Sequence, residues 1–264
     1  DGLVTGVQTC ALPIFTVSTA VDRSSWATYF SVVPEFGIET RHAGLVFGAP
    51  LYRVTAGGSV SQGVGDVYTA AYARGKAGVL DLGANLSVGF PTGDVELGLG
   101  AGKTSVDGRF TVARNFERGR VFASGGGSNF LFNNFIYQRP YISDGPAAHF
   151  SGGGEVYPAR RLALGAALFA AQPWGSQTVA TAPTSDPWLP PKSRGRGLPA
   201  RPTQGSAPAV ETPAADLADR GVNGWATVAL SPRVWLEFGV ARSFPFELTT
   251  ARVGLVFPIL GRSR

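Results

Sequence analysis

Val79-Leu80-Asp81-Leu82-Gly83-Ala84-Asn85-Leu86-Ser87-Val88-Gly89-Phe90 decides the fold class of this chain. Successive side chains of an extended strand point to opposite faces. Leu80, Leu82, Ala84, Leu86, Val88 and Phe90 therefore share one face, and Asp81, Gly83, Asn85, Ser87 and Gly89 the other. The same period recurs along the chain. Val106, Phe110 and Val112 stand against Asp107, Arg109 and Thr111, and Leu162, Leu164, Ala166 and Leu168 against Arg161, Gly165 and Phe169. Near the C-terminus Val234, Leu236, Phe238 and Val240 oppose Trp235, Glu237 and Gly239, and Ala251, Val253, Leu255 and Phe257 oppose Arg252 and Gly254. The 65–75 segment is ambiguous, because Tyr68 and Tyr72 fall in phase with Asp66 and Arg74.

Outward from that stretch the pattern predicts twelve strands, near 15–22, 27–38, 43–54, 65–75, 78–91, 104–116, 118–132, 146–157, 160–172, 222–230, 233–243 and 247–257. Most are about the 9–11 residues a tilted strand needs to cross a bilayer. Laid up and down, their connections alternate in length. Ser231-Pro232, Pro158-Ala159, Glu117 with its neighbours and Gly75-Lys76-Ala77 make tight turns on one side, while 55–64, 92–103, 133–145 and 173–221 make long loops on the other. A connection such as 244–246 is short for the loop side. The expectation is an all-β fold, a transmembrane antiparallel up-and-down β-barrel of about twelve strands, with short periplasmic turns, long outer loops and both termini periplasmic.

A soluble sandwich alternates too, and the polarity of the second face separates the two. A sandwich turns a Lys- and Glu-rich face to water. This chain has only three lysines, and its polar faces carry Gly, Ser, Asn and isolated charges. That composition suits a small polar interior behind an apolar band facing lipid, and closure leaves no edge for lipid to meet. The 36 glycines among 264 residues argue against a helical bundle. No run approaches the roughly 18 apolar residues of a spanning helix. A net charge of +5, spread along the chain, gives nucleic acid no footprint as a partner. The expected partners are outer-membrane lipid, a small-molecule solute and the barrel-assembly machinery during biogenesis, with no cofactor.

Two segments fall outside the strand pattern. Val4–Ile14, VTGVQTCALPI, resembles a translated sequencing adapter, so residues 1–14 are expected to be foreign and 15–260 to form a single barrel. On that reading the single Cys10 is not native, and a signal peptide is missing from this fragment. The 49-residue stretch 173–221 holds nine of the 19 prolines and no periodicity, which predicts an extended surface loop. Trp174 and Trp225, near its two ends, are placed where an interfacial aromatic girdle would lie.

Short motifs also carry a resemblance. Gly63-Val64-Gly65-Asp66-Val67-Tyr68, then Gly89-Phe90-Pro91-Thr92-Gly93-Asp94 at the end of an alternating strand, resemble the family of outer-membrane transporters named after the meta pathway of phenol degradation. The last hairpin, Leu230-Ser231-Pro232-Arg233 followed by Arg252-Val253-Gly254-Leu255-Val256-Phe257, is similar to that family's C-terminal end, so the resemblance covers roughly 27–257. It marks Gly65, Asp66, Pro91, Thr92, Gly93 and Asp94 as the family-like positions. It implies a channel or uptake function for small compounds, aromatic or apolar ones among them. Two departures stand out: the long 173–221 loop, and a chain that continues seven residues past Phe257 instead of ending on the aromatic that barrel-assembly machinery usually reads.

The phase assigns an inward set: Glu35, Asp81, Asn85, Asp107, Arg109, His149, Glu155, Arg161, Glu237 and Arg252, with Asp66 and Arg74 if their strand follows suit. Charges of both signs can line a selective watery pore, or pair across the lumen and close it. A closed structural or surface-interaction barrel is therefore the alternative to a channel. The two histidines, His42 in a turn and His149 facing inward, build no lipid-facing Ser–His pair and no metal set, so no catalytic residue is assigned. Finally, Gly125-Gly126-Gly127 and Gly152-Gly153-Gly154 have positions that sum to 279 about their centres, as do Tyr137 and Ile142. That register would bring six glycines together as a lateral weak point in the wall.

Overall fold

A sheet that alternates apolar and polar residues has one face for lipid and one for an interior, and curling it shut satisfies both edges at once. The computed structural model, which describes residues 12–23, 27–56, 59–94, 97, 99–130, 141–181, 210–213, 217–231 and 234–258, shows this closure. Its ladder segments are β1 (Leu12–Arg23), β2 (Ala27–Glu39), β3 (Ala43–Gly48), β4 (Leu51–Ala56), β5 (Ser59–Val64), β6 (Tyr68–Ala77), β7 (Leu80–Gly89) and β8 (Ser105–Phe116). They continue with β9 (Gly119–Phe130), β10 (Tyr141–Ala159), β11 (Leu162–Pro173), β12 (Ser176–Thr181), β13 (Val210–Pro213), β14 (Asp219–Ser231), β15 (Val234–Ser243) and β16 (Thr249–Pro258). Every pairing is antiparallel, and β1 closes the ring by pairing with both β2 and β16. Consecutive segments β3/β4, β5/β6, β11/β12 and β13/β14 continue one another, so the wall is a closed antiparallel barrel of twelve strands.

The faces follow the expected phase. Leu86 (51% exposed), Phe110, Phe150, Leu168 (66%) and Val240 all point outward, while their neighbours Ser87, Asp107, Ala167, Ala241 and Arg252 are buried. A surface carrying this many exposed Leu, Val and Phe is the signature of a barrel immersed in hydrocarbon. Turns lie on one side at Gly78-Val79, Glu117-Arg118 and Arg160-Arg161. Gly78 takes φ +59°, a backbone state that favours glycine at a hairpin corner. Two expected turns therefore shift: Gly75–Ala77 belong to β6, and Pro158-Ala159 to β10.

The 65–75 ambiguity has a mechanical cause. Gly48 pairs with Tyr68 in one ladder and Leu51 with Val64 in the next, so Ala49 and Pro50 are opposed by three residues, Gly65, Asp66 and Val67. One extra residue is a β-bulge, and it reverses the side-chain phase. Val60 and Val64 are exposed before it, whereas Tyr68 and Tyr72 face inward after it.

Other expectations need correction. The predicted outer loop 55–64 is mostly a hairpin, because Leu51–Ala56 pairs with Ser59–Val64. The 173–221 stretch is not loop throughout: β12 and β13 pair with each other, and β12 also extends the ladder of β10. Residues 182–209 and 214–216 of that stretch lie outside the described residues, as do residues 1–11. β1 starts at Leu12, inside the adapter-like string, since Leu12, Pro13 and Ile14 find ladder partners in Glu39, Ile38 and Gly37. The glycine runs do not meet. Gly126 stands opposite His149, and Gly153 opposite Phe122, four positions from the expected register. The one-position shift between Asp144 and Ala147 in β10 does not make up the difference, because Asp144 above it pairs with Phe130, so neither the wall nor the upper hairpin follows the symmetry assumed about the loop.

Candidate lumen site

Inward-facing rings, not small residues alone, occupy much of the lumen. On the turn side Tyr68 and Tyr72 of β6 lie directly across from Gly48 and Gly44 of β3. A Cβ on either glycine would fall inside the facing ring, so each glycine is a seat for a tyrosine. Seated there, the Tyr68 hydroxyl donates to Glu35 and the Tyr72 hydroxyl to Glu39. Arg74 Nη2 adds a 2.8 Å bond to Glu39, and its guanidinium lies 4.9 Å from the Tyr72 ring centre. Asp81, also near the turns, accepts from Asn115 and has Lys76 Nζ at 3.7 Å.

Mid-lumen, strands β8 to β11 and β14 to β16 surround a cavity of about 410 Å³. Phe122 and Trp225 form its aromatic wall, with ring centres 6.0 Å apart and planes at 51°. Trp225 rests on Gly165 across the β11–β14 ladder, and its Nε1 donates to Glu155 Oε2 at 2.9 Å. Arg109, Arg120, Glu237 and Arg252 supply charge around the rings. Arg252 Nη2 is 3.7 Å from Glu237 Oε2. Within the cavity lining, Arg109 Nε, Arg120 Nε and Asn223 Oδ1 are buried with no hydrogen-bond partner among the described residues. Such atoms carry unspent polar capacity toward whatever enters.

Higher up, His149 Nε2 approaches Asp107 Oδ2 to 2.5 Å, with both side chains largely buried. The imidazole sits over Gly126, whose missing side chain leaves room for it. At the loop-side mouth the family-like positions converge. The Asp66 carboxylate, aimed by the bulge, accepts Gly93 N–H at 2.8 Å and Ala101 N–H at 2.6 Å. Thr92 Oγ1 accepts Val67 N–H at 2.9 Å and donates to Gly65 O at 3.2 Å. Asp94 O accepts Leu99 N–H at 2.8 Å, and Gly93 and Gly100 pass so closely that a Cβ on Gly93 would lie 2.8 Å from Gly100 Cα. Pro91 is exposed just before this knot. The outcome is that Leu99 (5% exposed) is pinned against Tyr29, Val54 and Tyr52 on the inner wall. This part of the 90–104 connection folds into the mouth instead of away from it.

Of the inward set, Glu35, Asp81, Asn85, Asp107, Arg109, His149, Glu155, Glu237 and Arg252 stand on the lumen face of their strands. Asn85 lies between Tyr72 and Arg109 in its two ladders. Arg161 does not belong with them: it is exposed in the turn before β11, where its carbonyl accepts Ala229 N–H. His42 likewise lies in an exposed turn. Trp225 corrects the girdle reading, since it points inward, whereas Trp174 is exposed at the loop-side end of β11. Glu39, the ring-bearing Tyr68 and Tyr72, and the Leu99 cluster were not singled out as site residues. A signal for the first pairing was present: Gly44 and Gly48 have the same four-residue spacing as Tyr68 and Tyr72.

The architecture has solved counterparts. The chain is similar to an outer membrane channel from Pseudomonas putida F1, with a TM-score of 0.64, 15% identity, and 98% of this chain and 100% of that one covered. It is also similar to the NanC porin, with a TM-score of 0.53, 7% identity and coverage of 92% and 98%. A third counterpart is the KdgM porin in complex with disordered oligogalacturonate, with a TM-score of 0.50, 10% identity and coverage of 92% and 98%. No protein-family model matches the sequence, and no curated protein matches it either. At these identities the likeness concerns the fold, a closed outer-membrane-type barrel.

Proposed function

We propose that the protein is a bacterial outer-membrane channel for passive uptake of small solutes with an aromatic or apolar body. The observation that carries this reading is the mid-lumen cavity of about 410 Å³, which Phe122 and Trp225 line together with Arg109 and Arg120. A volume in the few-hundred Å³ range suits one small molecule. Rings give a passing aromatic group a surface, and the arginine donors give a polar substituent somewhere to rest. The barrel fold and the resemblance of the Gly65-Asp66 and Pro91–Asp94 motifs support the same reading.

The test is solute-driven swelling of proteoliposomes. A small aromatic carboxylate is expected to enter faster than an uncharged sugar of similar mass, and Trp225→Ala is expected to reduce that preference. Absence of flux for both solutes would overturn the channel. The second reading, a closed structural barrel, is favoured by the Asp107–His149 and Glu39–Arg74 pairs, each of which reaches over one intervening strand and occupies lumen space along the wall.

A further inference from the structure

Two Asp-Arg dipeptides, Asp22-Arg23 and Asp219-Arg220, end up at the loop-side rim with the same split. Each acid points inward and is buried, at 0% and 3% exposure. Thr250 Oγ1 donates to Asp22 and Ser243 Oγ to Asp219 Oδ1. Strand alternation then turns Arg23 and Arg220 outward, and both are exposed. Arg242 and Arg53 are also exposed, on the outward faces of β15 and β4. Arg242 and Arg23 flank the same residue, Thr249, from the two sides of β16.

These four arginines form a belt. Ladder partners climb steadily around a barrel because its strands are tilted. Arg242 pairs with Val222, two residues below Arg220, and Thr28, the partner of Arg23, pairs with Thr55, two residues above Arg53. Those two-residue steps offset the climb, which leaves the four Cα atoms within roughly 7 Å of one level. The level lies at the end of β16, a ten-residue strand just long enough to cross the apolar layer. Outward-facing Arg114 and Phe116 mark the opposite end of the wall. Arg242 is already oriented, since its Nη1 donates to Glu247 O at 2.7 Å and to Thr249 Oγ1 at 2.8 Å. The Glu247 carboxylate is the acid exposed in the neighbouring 244–248 turn.

We infer that Arg23, Arg53, Arg220 and Arg242 form a binding surface for the phosphate groups of lipid A in the outer leaflet. Guanidinium groups match phosphate geometry and are more weakly hydrated than ammonium groups. Placing them on the lipid side of the wall, with Asp22 and Asp219 turned inward beside Arg23 and Arg220, presents a cluster of positive charge at headgroup depth. The inference stands apart from solute passage, because none of the four faces the lumen.

The probe is diphosphorylated lipid A, titrated into the purified barrel in non-ionic detergent and read by native mass spectrometry. Binding is expected to weaken at least tenfold in the Arg23→Gln/Arg53→Gln/Arg220→Gln/Arg242→Gln variant, and to weaken with dephosphorylated lipid A or high salt. Arg114→Gln/Arg118→Gln, at the turn side, is expected to bind as the parent does. If the fourfold variant does not fold, Arg23→Gln/Arg242→Gln and Arg53→Gln/Arg220→Gln carry the test, each with a loss of at least threefold. Unchanged binding in the rim variants, an equal loss in the turn-side variant, or equal affinity for phosphatidylglycerol would each overturn the assignment.

Discussion

Asp66→Asn should loosen the mouth of the barrel without unfolding its wall. The carboxylate holds two backbone N–H groups, those of Gly93 at 2.8 Å and Ala101 at 2.6 Å, across the turn that carries Leu99 inward. A side-chain amide keeps the shape but offers one neutral acceptor oxygen, and its NH₂ would confront the second N–H. Hydrogen bonds to a charged group contribute about 1.5–3 kcal/mol each, so losing one and weakening the other removes roughly 2–4 kcal/mol from the inward state. At about 1.4 kcal/mol per factor of ten, the ratio of inward to released connection falls on the order of a hundredfold. Single-channel recording in planar bilayers should then show higher mean conductance and longer open dwell times than the parent, with the heat-modifiable gel shift retained. Leu99→Ala should act in the same direction by emptying the contact with Tyr29 and Val54. Unchanged conductance in a folded Asp66→Asn barrel would refute the idea that this latch controls the mouth.

Leu86→Arg, on the lipid face, should impair insertion by roughly 2–4 kcal/mol if it reaches the bilayer midplane, whereas Asn85→Asp, one residue away in the lumen, should fold and alter ion selectivity. Gel heat-modifiability and reversal potentials read the two, and equal tolerance would overturn the strand's facing. Gly44→Ala and Gly48→Ala should each lower the unfolding free energy by about 1–3 kcal/mol through overpacking against Tyr72 and Tyr68, read as a lower denaturant midpoint; unaltered midpoints would mean that the rings have other places to go. His149→Leu should destabilise by about 3–5 kcal/mol because it leaves Asp107 buried and unpartnered. His149→Leu/Asp107→Leu should recover much of that loss in the same unfolding measurement, and additive losses would count against direct coupling of the pair.

Facing was legible because it depends on a period of two that any single strand displays. Leu86 and Val240 outward, Asp107 and Arg252 inward, follow from local alternation and needed no knowledge of neighbours. Twelve strands were countable for the same reason, and their ends fell within a few residues, except where ladders ran past the expected wall at Ser59, Tyr141, Thr181 and Val210. What failed was whatever depends on two strands at once. The six-glycine patch assumed a register from symmetry about a loop, yet register is decided along the whole hairpin, and the pairs on both sides of Asp144 follow a different one. The 65–75 ambiguity was a true signal misplaced: phase changes there because a bulge changes it.

That distinction explains why the lumen was expected to be lined by small residues and charges when it is in fact partly filled by rings. Glycine read strand by strand looks like space. Read across a ladder, Gly44, Gly48 and Gly165 are the floors on which Tyr72, Tyr68 and Trp225 lie, and the three hydroxyl or indole groups so placed reach Glu39, Glu35 and Glu155. Pairing a large side chain with none fills a tapered interior without straining the wall. It also holds three carboxylates by donors seated on the barrel's own backbone. The motif at Gly65-Asp66 applies the same device at the mouth, where Tyr52 covers Gly65 and the bulge frees Asp66 to hold a connection instead of lining a pore. Ring–glycine pairs thus fill the lumen from its own wall and one carboxylate holds the connection at its mouth, so replacing Asp66 is expected to change passage more than replacing any single charge deeper in the wall.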